Sequence, residues 1–436
     1  MAGLYIHIPF CKSRCIYCDF YSTTRVAEMA DYVSVLCQEI RSRCHELVDD
    51  DGFARVRTIY IGGGTPSLLS PQQLARIFKV IHDNYVVEAD AEVTVEMNPE
   101  DSVNLAQQRE INRISLGIQT FDNDLLRFLR RRHSAERAVE AVRVLQKAGI
   151  RNISIDLIYG LPGQTLQQWE HDLDVAFSLG VQHLSAYALS YESGTQLWQL
   201  RQHGRVEEVA DELSVEMYRR LCERARKAGF EHYEISNFAL PGYHSRHNSS
   251  YWTGEAYLGF GPGAHSFDGV RTRRANTPDL GKYIEDPPLT LPCRERVECL
   301  EGHSPSPQPL PCRVGSSHFE GQAQGRQTSQ PAANNADARS NEITPSLQGR
   351  AGGGSSIEIL SDSELYDEMV MCGLRTRCGI DLQHLLDRFG QQRYDYLLRC
   401  AHSHLTAGRL TITDGHLHLK ESALMISDDV MSDLMA

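Results

Sequence analysis

The stretch "IHIPFCKSRCIYCDFYS", residues 6–22, decides how the rest of the chain is read. A short β-rich run, "LYIHI" from Leu4, breaks at Pro9. Three cysteines then follow within eight residues: Cys11, Cys15 and Cys18. Lys12 and Arg14 stand among them, a setting that favours exposed, ionisable thiols over a plain buried group. Structural zinc takes four ligands, commonly from paired C-x2-4-C units, and His7 is the one nearby candidate for a fourth. An iron–sulfur cube is normally held by four cysteines, so three would leave one iron open to a small ligand. The spacing alone leaves zinc and the open cube both standing.

Working outward, the chain has 436 residues, 41% of them hydrophobic and 23% charged, with a net charge of −13. This fits a folded chain of two or three domains. The acidity argues against a nucleic-acid partner held through phosphates. Twelve cysteines at irregular spacing do not make a disulfide scaffold. No apolar run is long enough to span a bilayer. The first residues lack a cationic leader segment, so a reducing, cytoplasmic setting is expected.

From residue 1 to about 285, strand-like runs alternate with helical ones. The expected strands start at Leu4, Arg57, Glu92, Arg113, Ile153 and His183, and helices are expected at "SPQQLARIFKVIHDNY" and "SAERAVEAVRVLQKAGI". Each helix opens on a serine N-cap, and the second stops at Gly149. Six strand–helix repeats predict an α/β fold, a parallel sheet or partial (β/α)6 barrel, over residues 1–291. Residues 292–356, rich in Pro, Ser, Gln and Gly, read as a disordered low-complexity insertion. Residues 357–436 read as helices followed by a hairpin around "DG", a small winged-helix-like α+β domain. That domain carries more acids than bases, which disfavours DNA binding.

C-x3-C-x2-C with an aromatic, Tyr17, before the last cysteine resembles the signature of the radical S-adenosylmethionine superfamily. The resemblance implies a [4Fe-4S] cluster on Cys11, Cys15 and Cys18, with S-adenosylmethionine on the open iron. It places the methionine amino group against "GGGTPS", at Gly63, Gly64 and Thr65. It also lines the pocket with Tyr5 on the first strand, Glu96 and Gln119 at the ends of the third and fourth, Asp156 on the fifth, and Arg131, assigned to the helix after the fourth strand and to the carboxylate. From the residues alone, Asp156 stands out, because a carboxylate in a buried strand needs a partner.

The segments "IYIGGGTPSLL", "NRISLGIQTF", "DLIYGLPGQT", "EISNFA" and "GFGPGAHS" resemble the oxygen-independent coproporphyrinogen III oxidases and their relatives. By that resemblance the oxidases carry a further Cys two residues after the third cluster Cys. Phe20 stands there, and "CDF" is the pattern of the HemW branch, the radical SAM haem chaperones. That branch's H-N-x-x-Y-W motif is present as His247, Asn248, Tyr251 and Trp252. The resemblance implies a haem site there, with His244 and His265 as alternative ligands and Arg246 for a propionate. It further implies haem delivery to a membrane haem-protein acceptor, peripheral membrane association, a flavodoxin- or ferredoxin-type electron donor, and leaves room for a homodimer. The alternative is the oxidase itself: radical decarboxylation of coproporphyrinogen III, giving protoporphyrinogen IX.

Overall fold

A computed structural model describes residues 2–48, 54–101, 108–289, 350–351 and 354–436. The first half runs β1 (Ala2–Ile8), α1 (Met29–Ser42), β2 (Arg55–Gly63), α2 (Pro71–Asn84), β3 (Val86–Met97), β4 (Arg113–Gln119), α3 (Asn123–Phe128), α4 (Ala135–Lys147), β5 (Asn152–Tyr159), α5 (Leu166–Ser178) and β6 (His183–Ala188). The middle adds α6 (Gln196–Gln202), α7 (Asp211–Lys227), β7 (Glu231–Glu234), β8 (Asn237–Ala239), α8 (Arg246–Trp252), β9 (Tyr257–Phe260), β10 (His265–Phe267), β11 (Thr272–Asn276) and α9 (Leu280–Glu285). The last part comprises β12 (Arg350–Ala351), β13 (Ser355–Ile359), α10 (Asp362–Arg375), β14 (Ile380–Asp381), α11 (Leu382–Thr406), β15 (Leu410–Thr413), β16 (His416–Leu419) and α12 (Ser427–Leu434).

β1 to β6 lie side by side and parallel, in chain order, as the partial barrel expected. The helices form where their caps allow. Ser70 and Gln73 close a capping box on α2, with Pro71 at the first helical position. Thr165 and Gln168 do the same for α5. Ser134 caps α4, and Gly149, at φ +93°, ends it. Between β3 and β4 the described residues hold only a 3-10 turn, Pro99–Asp101.

The sheet also extends past β1. β9 pairs parallel with β1, and β10, β11 and β13 continue antiparallel beyond it. This extension is tied to α1 by a buried ionic group. Glu39 and Arg43 pair at 2.8 Å with both side chains fully buried. Glu39 accepts from Gly261 N, Asn276 Nδ2 and Tyr283 Oη, while Arg43 donates to Gly259 O and Ser266 Oγ. Four elements far downstream of α1, namely β9, β10, β11 and α9, are thereby fixed against it.

The C-terminal domain has its own core, built from Tyr366, Val370, Leu385, Leu397, Leu417 and Val430 among others. Its hairpin β15–β16 turns at Asp414 and Gly415, both at positive φ, as the "DG" pair demands. The expected boundary at residue 357 falls inside β13, which belongs to the large sheet through its pairing with β11. The domain proper therefore starts at the Ser361–Glu364 capping box of α10. Most of the expected insertion, 292–349, lies outside the described residues.

Removing one member of a buried ion pair strands the other charge at a cost of about 3–5 kcal/mol. Arg43→Met should therefore lower the denaturant midpoint sharply, and the double variant Glu39→Gln/Arg43→Met should recover part of the loss. A single variant as stable as the parent would show that the group does not hold the extension.

Candidate functional site

The register of the parallel strands sets alternate residues on one face. Gly3, Thr58 and Glu92 share one level, and Tyr5, Tyr60, Thr94 and Arg113 the next. Glu96, Ser115, Ser154 and His183 follow, then Gly117, Asp156 and Ser185. These residues line the concave face, so the lumen is polar. The aliphatic residues between them, such as Ile6, Ile59, Val95 and Ile155, pack outward in the main core.

The cysteine loop leaves β1 at the open rim. Its backbone is pinned by Cys11 N to Thr23 O (2.9 Å) and Thr23 N to Pro9 O (2.7 Å). Tyr17 packs against Leu125, Leu129 and Ile158. Donors converge on two of the sulfurs: Thr65 Oγ1 lies 3.6 Å from Cys11 Sγ and Arg131 Nη1 3.5 Å from Cys15 Sγ. Burial holds the Cys11 and Cys18 thiols above their ordinary range, so a bound cluster would itself have to drive their deprotonation. Three thiols on one rim, two of them receiving hydrogen bonds, suit a cluster with an open corner. The single-ion alternative gains nothing. Both ring nitrogens of His7 are taken, by Tyr5 Oη (3.0 Å) and Tyr21 O (2.8 Å). Among the described residues no three His, Cys, Asp or Glu groups are gathered to hold one ion.

The glycine turn after β2 sits against this loop. Gly64 donates to Ile8 O at 2.8 Å, and a Cβ on Gly64 would stand 2.7 Å from Phe10 O. Gly63, at φ +106°, donates its N–H to Glu96 Oε2 at 3.0 Å, and Tyr60 donates to Glu96 Oε1 at 2.7 Å. Burial pushes Glu96 up to about 7, against the pull of those two donors. Asp156 is also raised by burial. Ser115 donates to both its oxygens at 3.2 Å, and Ser185 and the Arg113 charge help hold it.

Arg131 is not in a helix, as the sequence reading had it. It follows α3 in a tight turn, its N–H on Leu126 O. From there its guanidinium reaches Cys15, Asn98 Oδ1 (2.6 Å) and Gly117 O (2.6 Å). Asn98 in turn donates to Thr65 at 3.2 Å. Gln119 ends β4 at φ +72° beside a register shift, a strained bulge of the kind that re-aims a side chain at a site. Tyr5, Gly63, Gly64, Thr65, Glu96, Gln119, Arg131 and Asp156 are thus gathered on the lumen and its upper rim.

The H-N-x-x-Y-W residues part company. They form α8, which lies under the barrel floor. The carboxylate of Glu92 accepts from the N–H groups of Arg246 and His247, each at 3.0 Å. His247 is 1% exposed, with Nδ1 on Thr58 Oγ1 (2.8 Å) and Nε2 on Tyr251 Oη (2.9 Å), stacked on Tyr60. Burial and the Arg113 charge push its pKa down to about 3. Both nitrogens being engaged, His247 has no lone pair free for a metal, which corrects its expected role. Tyr251 and Trp252, by contrast, line a cavity of about 1160 Å³ between the sheet extension and the C-terminal domain. Its wall also includes Phe20, His244 and His265, but not Asn248.

Residues 5–176 match the Radical SAM superfamily, and residues 360–426 match the HemN C-terminal domain. The protein of Lactococcus lactis named Heme chaperone HemW is 38% identical over 299 residues, covering 67% of this chain and 76% of that protein. The chain belongs to the HemW family. Its Bacillus subtilis relative of the same name is also 38% identical, over 291 residues, 65% of this chain and 76% of the relative. Among solved structures, Escherichia coli coproporphyrinogen III oxidase (HemN), a radical SAM enzyme, superposes with a TM-score of 0.72 at 18% identity, covering 100% of this chain and 90% of that one. That likeness is one of fold.

Membership in the radical SAM superfamily implies a [4Fe-4S] cluster and S-adenosylmethionine. In this HemW-family chain the sequence reading missed Tyr60, Asn98, Arg113 and Ser115. Three of them were signalled by the alternation in "TIYIG" and "RISLG", where every second residue is polar or glycine. Parallel strands buried on both faces read as unbroken apolar runs instead.

Glu96 carries its proton below about pH 7 and is ionised above it. An N–H donor arriving at this carboxylate favours the ionised form. Affinity for S-adenosylmethionine should therefore be constant above that pH and fall as pH drops, approaching about tenfold per unit. Calorimetric titration across this range checks it, with Glu96→Gln expected to flatten the acid limb. An unchanged slope in the variant would place the titrating group elsewhere.

Proposed function

We propose that the protein is a haem chaperone. It binds one haem in the cavity beside the cluster loop and passes it to membrane respiratory haem proteins. The observation that carries this reading is the cavity itself. At about 1160 Å³ it is at or above the upper end of ordinary ligand sites, large enough for a macrocycle. Its wall joins Phe20, two residues past Cys18, to Tyr251 and Trp252 at the far end of the H-N-x-x-Y-W motif. The relatives' printed name supports the same cargo.

Cys11, Cys15 and Cys18 would hold the cluster, which when bound supplies an electron for cleaving the sulfonium of S-adenosylmethionine. The chain's own residues do the positioning. Gly63 and Gly64 admit the methionine end without side-chain collision, and Glu96 accepts its N–H groups. Arg131, steadied by Asn98, faces the carboxylate, and Asp156 and Gln119 meet the nucleoside. An acidic electron donor of the flavodoxin or ferredoxin type fits the rim outside Cys15. Lys12, Arg14, Arg130 and Arg132 are exposed there on a chain whose net charge is −13. No described helix is long and apolar enough to cross a membrane, so delivery is proposed to occur at a membrane surface.

The oxidase reading is weaker. Phe20, 63% exposed, presents an aromatic ring to the cavity where, by resemblance, oxidases place a thiol.

Cys11→Ala, Cys15→Ala and Cys18→Ala should each abolish the brown absorption of anaerobically reconstituted protein; cluster absorption surviving in all three defeats the ligand assignment. An oxidase-deficient strain expressing the chain should still require added haem, while the purified protein binds haem one to one. Growth without haem would instead establish the oxidase.

A further inference from the structure

The cavity wall includes five histidines: His7, His244, His265, His384 and His416. An imidazole can bind iron only through a ring nitrogen that is not already committed. His7 is bonded at both nitrogens. His244 donates from Nε2 to Glu231 Oε2 (2.8 Å) and lies flat on Tyr233 at 4.2 Å. His416 sits on the outer hairpin, with Nδ1 on Asp414 O and Nε2 towards Asp381. His384 is exposed on the first turn of α11.

His265 differs from the first three, because its ring, like that of His384, makes no hydrogen bond or ion pair among the described residues. It differs from His384 in standing on a strand, β10, rather than on the first turn of a helix. Its surface is accessible, yet burial lowers its pKa, the combination expected of a side chain that faces a cavity rather than bulk water. Its backbone is rigidly seated. It pairs with Ala275 in the sheet, and Gly259 approaches so closely that a Cβ there would stand 2.0 Å from His265 O. Phe267, two residues on, shares its strand face and lies buried in the same wall. Arg273 lies over the Phe267 ring at 5.7 Å. Its Nε is buried without a partner, while one terminal nitrogen is paired with Glu368. The opposite wall is largely apolar, with Leu365 and Met369 on α10.

We propose that His265 is the protein ligand to the haem iron, with the macrocycle packed against Phe267 and a propionate at Arg273. This rests on the haem-chaperone reading and replaces His247 within it. His247 then serves as the floor of the barrel. A neutral, unbonded imidazole held on a strand is the donor that haem iron takes, and a guanidinium with an uncommitted N–H suits a carboxylate.

The test is titration of the full-length chain with ferric haem, read by the Soret band. Wild-type protein should bind one equivalent. His265→Ala should bind at least tenfold more weakly with a shifted Soret band, and added imidazole should restore the band. Its circular dichroism and cluster absorption should match the parent. His247→Ala should unfold more easily while its folded fraction keeps the parental Soret band. Arg273→Gln should narrow the difference in affinity between haem and its dimethyl ester. A parental Soret band and affinity in His265→Ala, or loss of both in His384→Ala instead, overturns the assignment while leaving the chaperone reading in place. Failure of wild-type protein to bind one equivalent removes the chaperone reading itself.

Discussion

The backbone of Gly64 occupies a place where a side chain cannot go. A Cβ there would meet Phe10 O at 2.7 Å and the Pro9 carbonyl carbon at 2.9 Å, and one on Gly63 would meet the His7 ring at 2.7 Å. This contact presses the turn after β2 onto the exit of β1. Everything at the rim depends on it. It brings Thr65 to Cys11, sets the Gly63 N–H on Glu96, and fixes the cysteine loop at the mouth of the lumen. Gly63 and Gly64 are thus a packing requirement as much as a conformational one.

Behind that rim lies an interior that departs from the usual apolar filling of a strand barrel. Glu96, Asp156 and Arg113 are buried together; burial raises both carboxyls, the Asp156 charge raises Glu96 further, and the Arg113 charge pulls both down. Arg113 Nε and Thr94 Oγ1 are buried without partners. Polar groups in a protein interior are costly when unmatched. A lumen carrying such groups, with its aliphatic residues turned outward to the helices, is built around a polar molecule. The apolar cavity beyond the sheet extension is built for a different one. The chain therefore keeps two chemically unlike compartments side by side, joined where Tyr5 and His7 reach both.

Much of this was legible in the sequence, for local reasons. Serine caps, the "DG" turn, the period-2 strands and the cysteine spacing are set by short-range chemistry, and each element formed where its signals lay. What the sequence concealed is long-range. Nothing near "RHNSSYW" announces that Glu92, more than 150 residues earlier, will take the first N–H groups of α8 and draw His247 under the barrel. Nor does "EAYLGF" show that β9 returns to pair with β1. The helix expected to hold Arg131 gives way to a turn after α3, set by the Leu126 carbonyl and by the distant groups the guanidinium reaches. The strand boundary at Ser355 was hidden because a low-complexity stretch runs directly into it.

The large cavity has one wall in each of two cores. Phe267 and Tyr257 belong to the sheet extension, which the Glu39–Arg43 group clamps to α1, while most of α10's buried face packs into the C-terminal domain. Between them Phe267, Leu360 and Leu365 form a cluster of their own, touched by Tyr257 and Phe389. The two cores are also bonded through the backbone, Ile235 N to Arg375 O (3.1 Å) and Arg377 N to Tyr233 O (3.0 Å), and Leu424 packs on the main core. A container fastened along several edges does not open by parting its walls.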